Sequence, residues 1–193
     1  MKPKVAIIGD GNVGSAIQKG LQRAGYELRV TGKDPAKVKD AGAWAEVIIL
    51  AVPFSAIDDT VKELGEGVAG KTLVDATNAL GANYQLAVGF TTSGAEELAK
   101  KAPRAKVVKA FNTVFAANMS TGKVKGEALS LLAAGDDAKS KELVLTLGRD
   151  IGFDAVDAGP LVNARWLETL GFLNIQLGFS LKMGTDIGFR LVH

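Results

Sequence analysis

The stretch "GDGNVG", Gly9 to Gly14, follows a short apolar run (Val5 to Ile8) and opens a segment with Val13, Ile17, Leu21 and Ala24 at helical steps. Glycines at Gly9, Gly11 and Gly14 allow a tight turn, an approach of bare backbone to a pyrophosphate, and close packing of helix on strand. The free N–H groups of the helix start, with Asn12 and Val13 in its first turn, then face the phosphates. Asp10 is the odd residue in this cradle. A carboxylate there is favoured by the helix dipole at or before the N-cap, or it faces across the crevice toward a second ligand.

A second stretch, "RVTGKDP", falls where a dinucleotide fold usually presents an acid to a ribose 2′-hydroxyl. Thr31, Gly32 and Lys33 offer a hydroxyl, open backbone and an ammonium instead, which suits a 2′-phosphate and favours NADP over NAD. Asp34 works against that preference, by swinging inward or by pairing with Lys33. Further along, Val52 and Pro53, Thr77 and Asn78, and Asn112 and Thr113 stand at the ends of three apolar runs. Amides and hydroxyls gathered at one sheet edge could orient a nicotinamide carboxamide; singly, each serves as well to cap a helix or satisfy a loop.

What is missing narrows the chemistry. The chain has no cysteine and a single histidine, His193. Thiolate nucleophiles, disulfides and His-rich or sulfur-ligated metal sites are therefore excluded, and no positioned general base is visible. No catalytic side chain and no metal ligand are assigned.

These residues require an alternating scaffold. Strands are expected at Val5 to Ile8, "YELRV" (26–30), "EVIILAV" (46–52), "KTLVDAT" (71–77), "AKVVKAF" (105–111), "ALSLLAAG" (128–135) and "FDAVDAG" (153–159). Between them fall a helix ended by Gly25, one begun by Ser55 over 55–64, one capped by Ser93 with Glu96, and one over 137–148. The expected fold is an α/β, Rossmann-type, doubly wound and mostly parallel sheet spanning residues 1–159. Residues 160–193 form a small C-terminal helical annex of the same domain, read as a helix pair with Leu170, Leu173, Leu177 and Leu181 at helical spacing. That annex is expected to cover the sheet, line a site or make a homodimer contact.

The 193 residues suit one domain, with 47% hydrophobic and 23% charged residues and a net charge of +2. So mild a charge gives no reason to expect nucleic acid. The one dense basic group, Lys100, Lys101, Arg104, Lys106 and Lys109, reads as a solvated helix end running into an edge strand, or as a lure for an anionic ligand. No export or membrane segment is visible, so the expected location is cytoplasmic.

The sequence resembles the NADP-linked oxidoreductases that use the deazaflavin coenzyme F-420, whose Rossmann domain is also similar to the cytosolic domain of the STEAP metalloreductases. The matching stretches are "GDGNVG", "LAVPFSAID", "VVKAFNTVFAANM", "AAGDDAKSKELV" and "DAGPLVNARWLETL". The resemblance implies hydride transfer between the nicotinamide of NADP and the C5 position of a deazaflavin, with an ordinary flavin as the alternative small-molecule partner. Such transfer needs only two ring faces held about 3 to 3.5 Å apart and shielded from water. By resemblance, Gly9 to Val13 would hold the pyrophosphate and Thr31 with Lys33 the 2′-phosphate. Val52, Pro53 and Ile57, with Thr77 and Asn78, would flank the nicotinamide. Asn112, Thr113, Val114 and Phe115 would face the second ring, and Gly159, Pro160 and Leu161 would close beneath. Two alternatives remain open: a reductase of small imines or β-hydroxy acids, and a non-catalytic NADP-sensing module.

Overall fold

The computed structural model describes residues 1–81 and 85–192. His193 lies outside the described residues.

The chain folds as β1 (Val5–Ile8), α1 (Asn12–Arg23), β2 (Leu28–Thr31), α2 (Pro35–Trp44), β3 (Val47–Leu50) and α3 (Ile57–Leu64). It continues through β4 (Thr72–Asp75), α4 (Gly94–Lys101), β5 (Lys106–Lys109), a short α5 (Ala116–Met119) and a small hairpin of β6 (Lys123–Val124) with β7 (Glu127–Ala128). Then follow β8 (Ser130–Gly135), α6 (Ala138–Ile151), β9 (Asp154–Asp157) and α7 (Ala164–Ile175), which runs on into a π-helical turn, Gln176–Ser180.

The sheet order is β2-β1-β3-β4-β5-β8-β9. The first five strands are parallel, with β1 in register between β2 and β3 (Ile7 opposite Val30 and Ile49). β8 pairs antiparallel to β5, and β9 runs parallel to β8. The reason lies in the link: only α5 and the hairpin separate β5 from β8, in place of a crossover helix that would carry the chain back to the starting end. This reversal sets where the last third of the chain can contribute.

Helices cover both faces. Ile7, Ile17, Leu21, Ile49, Val108, Leu131 and Val144 pack on one side, and Ile8, Val38, Ile48, Leu50, Leu73, Leu98 and Ala164 on the other. Each fully buried Ile or Leu contributes roughly 1.5–3 kcal/mol.

Several helix starts are capped as their sequences dictate. Ser93 Oγ accepts the Glu96 N–H at 3.1 Å, and Asp137 accepts from Ser140 N at 2.9 Å. α2 lies in a stretch for which no helix was expected, although Asp34 caps it and Pro35 opens it. Ser55 does not begin α3: it sits inside a 3₁₀ turn, Phe54–Ala56, and makes no side-chain cap.

The annex also differs from expectation. It is one helix instead of a pair, followed by an irregular tail in which Phe189 O accepts from Ser130 N at 3.0 Å. Its leucine stripe is not the packing face: Leu173 and Leu181 are exposed, while Ala164, Leu167, Glu168, Gly171, Asn174 and Gly178 are buried. Small and polar residues line that face because it lies against polar strand ends.

Candidate functional site

The carboxyl ends of β1, β3, β4 and β5 open onto one crevice, where β1 is the strand from which the connections depart to either side. The glycine loop at the end of β1 divides its labour by geometry. A Cβ at Gly9, which has φ +114°, would lie 2.3 Å from Ala51 O, and one at Gly14 would lie 1.8 Å from Gly9 O. Neither position can carry a side chain. A Cβ at Gly11 would meet nothing within 4 Å, so the backbone there stays open to a ligand. Gly11 is also the N-cap of α1 and no side chain caps that helix, which leaves its first N–H groups for an anion.

Two hollows meet at Ala51, Val52 and Pro53. One, of about 450 Å³, is bordered by Gly9, Asp10, Gly11, Gly32, Lys33, Val38, Asp59, Thr60 and Glu63. The other, of about 370 Å³, is bordered by Val13, Phe54, Ala76, Thr77, Asn78 and Leu80. The Thr77 hydroxyl is buried without a hydrogen-bond partner. An orphan donor-acceptor there suits a carboxamide, and the open Gly11 beneath a free helix start suits a pyrophosphate, so the residues present fit a nicotinamide dinucleotide. Asn12, with Ser15, Lys19, Phe115 and Phe179, borders a third hollow of about 530 Å³ beside the first turn of α1. Phe115 and Phe179 meet there edge to face, 5.6 Å apart.

Behind the crevice lies a knot of buried charge. Lys109 Nζ donates to Asp75 Oδ2 at 2.9 Å, to Glu168 Oε1 at 2.9 Å and to the Thr77 carbonyl at 2.7 Å, which uses all three of its protons. All three charged side chains are almost fully buried. Burial alone would drive the ammonium toward its neutral form, but the two carboxylates and their hydrogen bonds prevail and hold the Lys109 pKa above the ordinary lysine value. Glu168 also accepts the N–H groups of Gly94 and Ala95 at 2.8 and 3.1 Å, at the start of α4. Asp75 accepts from Thr77 N at 2.9 Å, so the knot fixes the backbone that carries Thr77.

Above it, Asn112 donates to Leu167 O at 2.8 Å and to Asn78 Oδ1 at 3.2 Å, and Asn78 returns a bond to Asn112 O at 3.1 Å. Gly171 of α7 makes this approach possible: a Cβ there would lie 2.6 Å from Asn78 Oδ1.

The expected site residues therefore divide. Gly9 to Gly14, Thr31 to Lys33, Val52, Pro53, Thr77 and Asn78 gather around the crevice, with Thr31 at the end of β2 and almost fully buried. Ile57 is core beneath it. Asn112, Thr113 and Val114 are buried under α7 and in the core instead of facing the crevice, and only Phe115 reaches a hollow. Pro160 and Leu161 lie at the other end of the sheet, because they follow β9, which runs with β8 against the direction of β5. Leu161 borders a small hollow there with Lys106, Asp136 and Asp137.

The basic group dissolves on inspection. Lys109 is buried in an interior strand, while Lys100 pairs with Glu97, Lys101 with Asp58, Arg104 with Glu66 and Lys106 with Asp137.

A doubly wound sheet with an open glycine loop and a paired hollow at its switch point defines a dinucleotide-binding oxidoreductase scaffold. Over residues 4–43 and 35–79 the chain matches the family model described as NADP oxidoreductase, coenzyme F420-dependent. It is 30% identical to the F420-dependent NADP reductase of Methanocaldococcus jannaschii, over 86% of this chain and 76% of that protein. It is likewise 30% identical to Metalloreductase STEAP3 of Rattus norvegicus over 87% of this chain, but spans only 36% of that protein's length. A solved Arthrobacter sp. FB24 structure, named as a candidate F420-dependent NADP reductase, superposes with a TM-score of 0.89 at 28% identity, covering 99% of this chain and 100% of that one. The chain belongs to the family of F420-dependent NADP reductases. Among the described residues, no helix is long and apolar enough to cross a membrane.

Proposed function

We propose that this oxidoreductase passes a hydride directly between NADP(H) and coenzyme F-420 or a flavin ring. One observation carries the reading: among the described residues, the hollow at Thr77 and Asn78 is bordered by no titratable side chain at all. Described walls that supply position and shielding, with no acid or base among them, suit transfer between two stacked rings. Held there, the dihydronicotinamide would supply a hydride with its electron pair to the acceptor ring, and solvent would supply the proton that completes the reduced product.

The chain's own residues bind, orient and exclude water. The backbone at Gly11 to Val13 holds the pyrophosphate, Lys33 meets the adenosine ribose, and Thr77 with Asn78 orients the carboxamide. Val52 and Pro53 wall the nicotinamide, and Phe115 with Phe179 offers an aromatic surface beyond α1 for part of the acceptor. Trp166, Leu173, Phe179, Leu181 and Met183, all exposed, support a homodimer through the outer side of the annex.

The test follows NADPH absorbance on mixing with coenzyme F-420, then FMN, then small cyclic imines. Fast oxidation by the deazaflavin, or by FMN, is the expected result. Turnover with imines alone would overturn the reading in favour of an imine reductase, and tight NADPH binding with no turnover on any acceptor would leave a sensor.

A further inference from the structure

The acid missing from the end of β2 is present in space. Asp10 precedes the N-cap of α1, and its carbonyl accepts the Ser15 hydroxyl at 3.0 Å. Its carboxylate lies on Gly32: a Cβ built at Gly32 would sit 2.8 Å from Asp10 Oδ2 and 3.2 Å from both Cγ and Oδ1. Gly32 is the residue just past β2, the position at which an adenosine ribose is read in this kind of fold. Any side chain there would expel the carboxylate, so Gly32 and Asp10 make one feature.

The charges around that hollow also favour this assignment. Asp10, Asp59 and Glu63 border it, against Lys33 as its only cation among the described residues. Asp34 is committed elsewhere: it accepts the Ala36 and Lys37 N–H groups at 3.0 and 3.3 Å as the cap of α2, and its other oxygen lies 3.8 Å from Lys37 Nζ. It neither swings inward nor pairs with Lys33.

We infer that Asp10 sets the dinucleotide choice of this enzyme: its carboxylate, seated on Gly32, accepts the adenosine 2′-hydroxyl and opposes a 2′-phosphate, so that NADH is admitted alongside NADPH. This rests on the dinucleotide reading proposed above. Lys33 draws a 2′-phosphate in, and Asp10 sets the limit on that attraction. The acid comes from the first loop in place of the second strand, yet meets the same atom.

Binding of nucleotide fragments tests this without any acceptor. Isothermal titration with 2′,5′-ADP and with 5′-ADP is run on the wild-type protein, Asp10→Ser and Asp10→Asn, each checked for unchanged thermal unfolding. Both variants are expected to tighten 2′,5′-ADP about tenfold relative to 5′-ADP, with the gap narrowing as salt is raised. A ratio of affinities unchanged in both variants would overturn the assignment, because Asp10 would then act on the loop alone. If the wild-type protein binds neither fragment, the dinucleotide reading falls and takes this inference with it.

Discussion

The two halves of the crevice are built from different materials. Toward β2, the glycine loop works with backbone: bare N–H groups at a helix start, an uncrowded Gly11, and two glycines pinned by contacts that leave no room for a side chain. Toward β5, side chains do the work: Asp75, Lys109, Glu168, Asn112 and Asn174 are buried and Asn78 is half-buried, each tied to a segment distant in sequence. A backbone cradle needs little beyond local geometry. A buried polar network needs every partner, since a group left unpaired in the interior costs more than the bond it made was worth.

The contrast makes the sharpest expectation one of stability. Lys109→Met should leave Asp75 and Glu168 facing each other in the interior and cost about 3–5 kcal/mol, read by urea unfolding. A loss under about 1 kcal/mol would mean that the knot is not held as a charged unit. Next come the two kinds of glycine. Gly14→Ala should destabilise the fold by about 1–3 kcal/mol, because its Cβ would collide with the Gly9 carbonyl. Gly11→Ala, with open space around it, should leave stability within about 0.5 kcal/mol and weaken NADPH binding instead. Should both variants unfold alike in urea, the division of labour in the loop is wrong.

Smaller again is the ribose contact. Lys33→Ala should weaken NADPH about tenfold more than NADH, measured by fluorescence titration; equal losses would remove Lys33 from the 2′-phosphate. The smallest effect concerns how α7 is clamped to α4. Arg165 donates two hydrogen bonds to Glu96, at 2.8 and 2.7 Å, and these hold the Glu96 pKa below the ordinary carboxylate value. A depressed folded pKa means that the stabilisation is fully present above the unfolded value and is lost as pH falls through the folded one. Wild type and Arg165→Met should therefore differ most in thermal unfolding at neutral pH and converge below the ordinary glutamate range, near pH 4. A gap that stays constant with pH would assign the difference to packing.

The same contrast explains what could be read from the chain. Apolar runs and helical spacing are local signals, and they placed the sheet class and all seven sheet strands to within a few residues. The reversed direction of β8 could not be read, because strand periodicity is the same whichever way a strand runs. Pro160 and Leu161 were accordingly expected at the wrong end of the sheet. The knot has a signal in the sequence: Lys109 in "VVKAF" and Asp75 in "LVDAT" are charges inside runs buried on both faces, and a charge there must have a partner. Its third member is the harder one, since Glu168 sits on a helix whose exposed leucines mark the opposite face. Asp34 before Pro35 is likewise a plain helix start, whose acid also stands where a ribose ligand would.

Glu168 has a consequence for the order of assembly. Its carboxylate closes a cluster whose other members belong to β4 and β5, and α7 supplies the cover over Asn112 and Asn78. As the polypeptide leaves the ribosome, the glycine loop can be complete with the first few strands, whereas Lys109, once paired with Asp75, must wait for a residue nearly sixty positions downstream before its last proton has an acceptor. A nascent chain halted at Gly159 would already carry the open glycine loop and still lack the helix that covers Asn112 and Asn78.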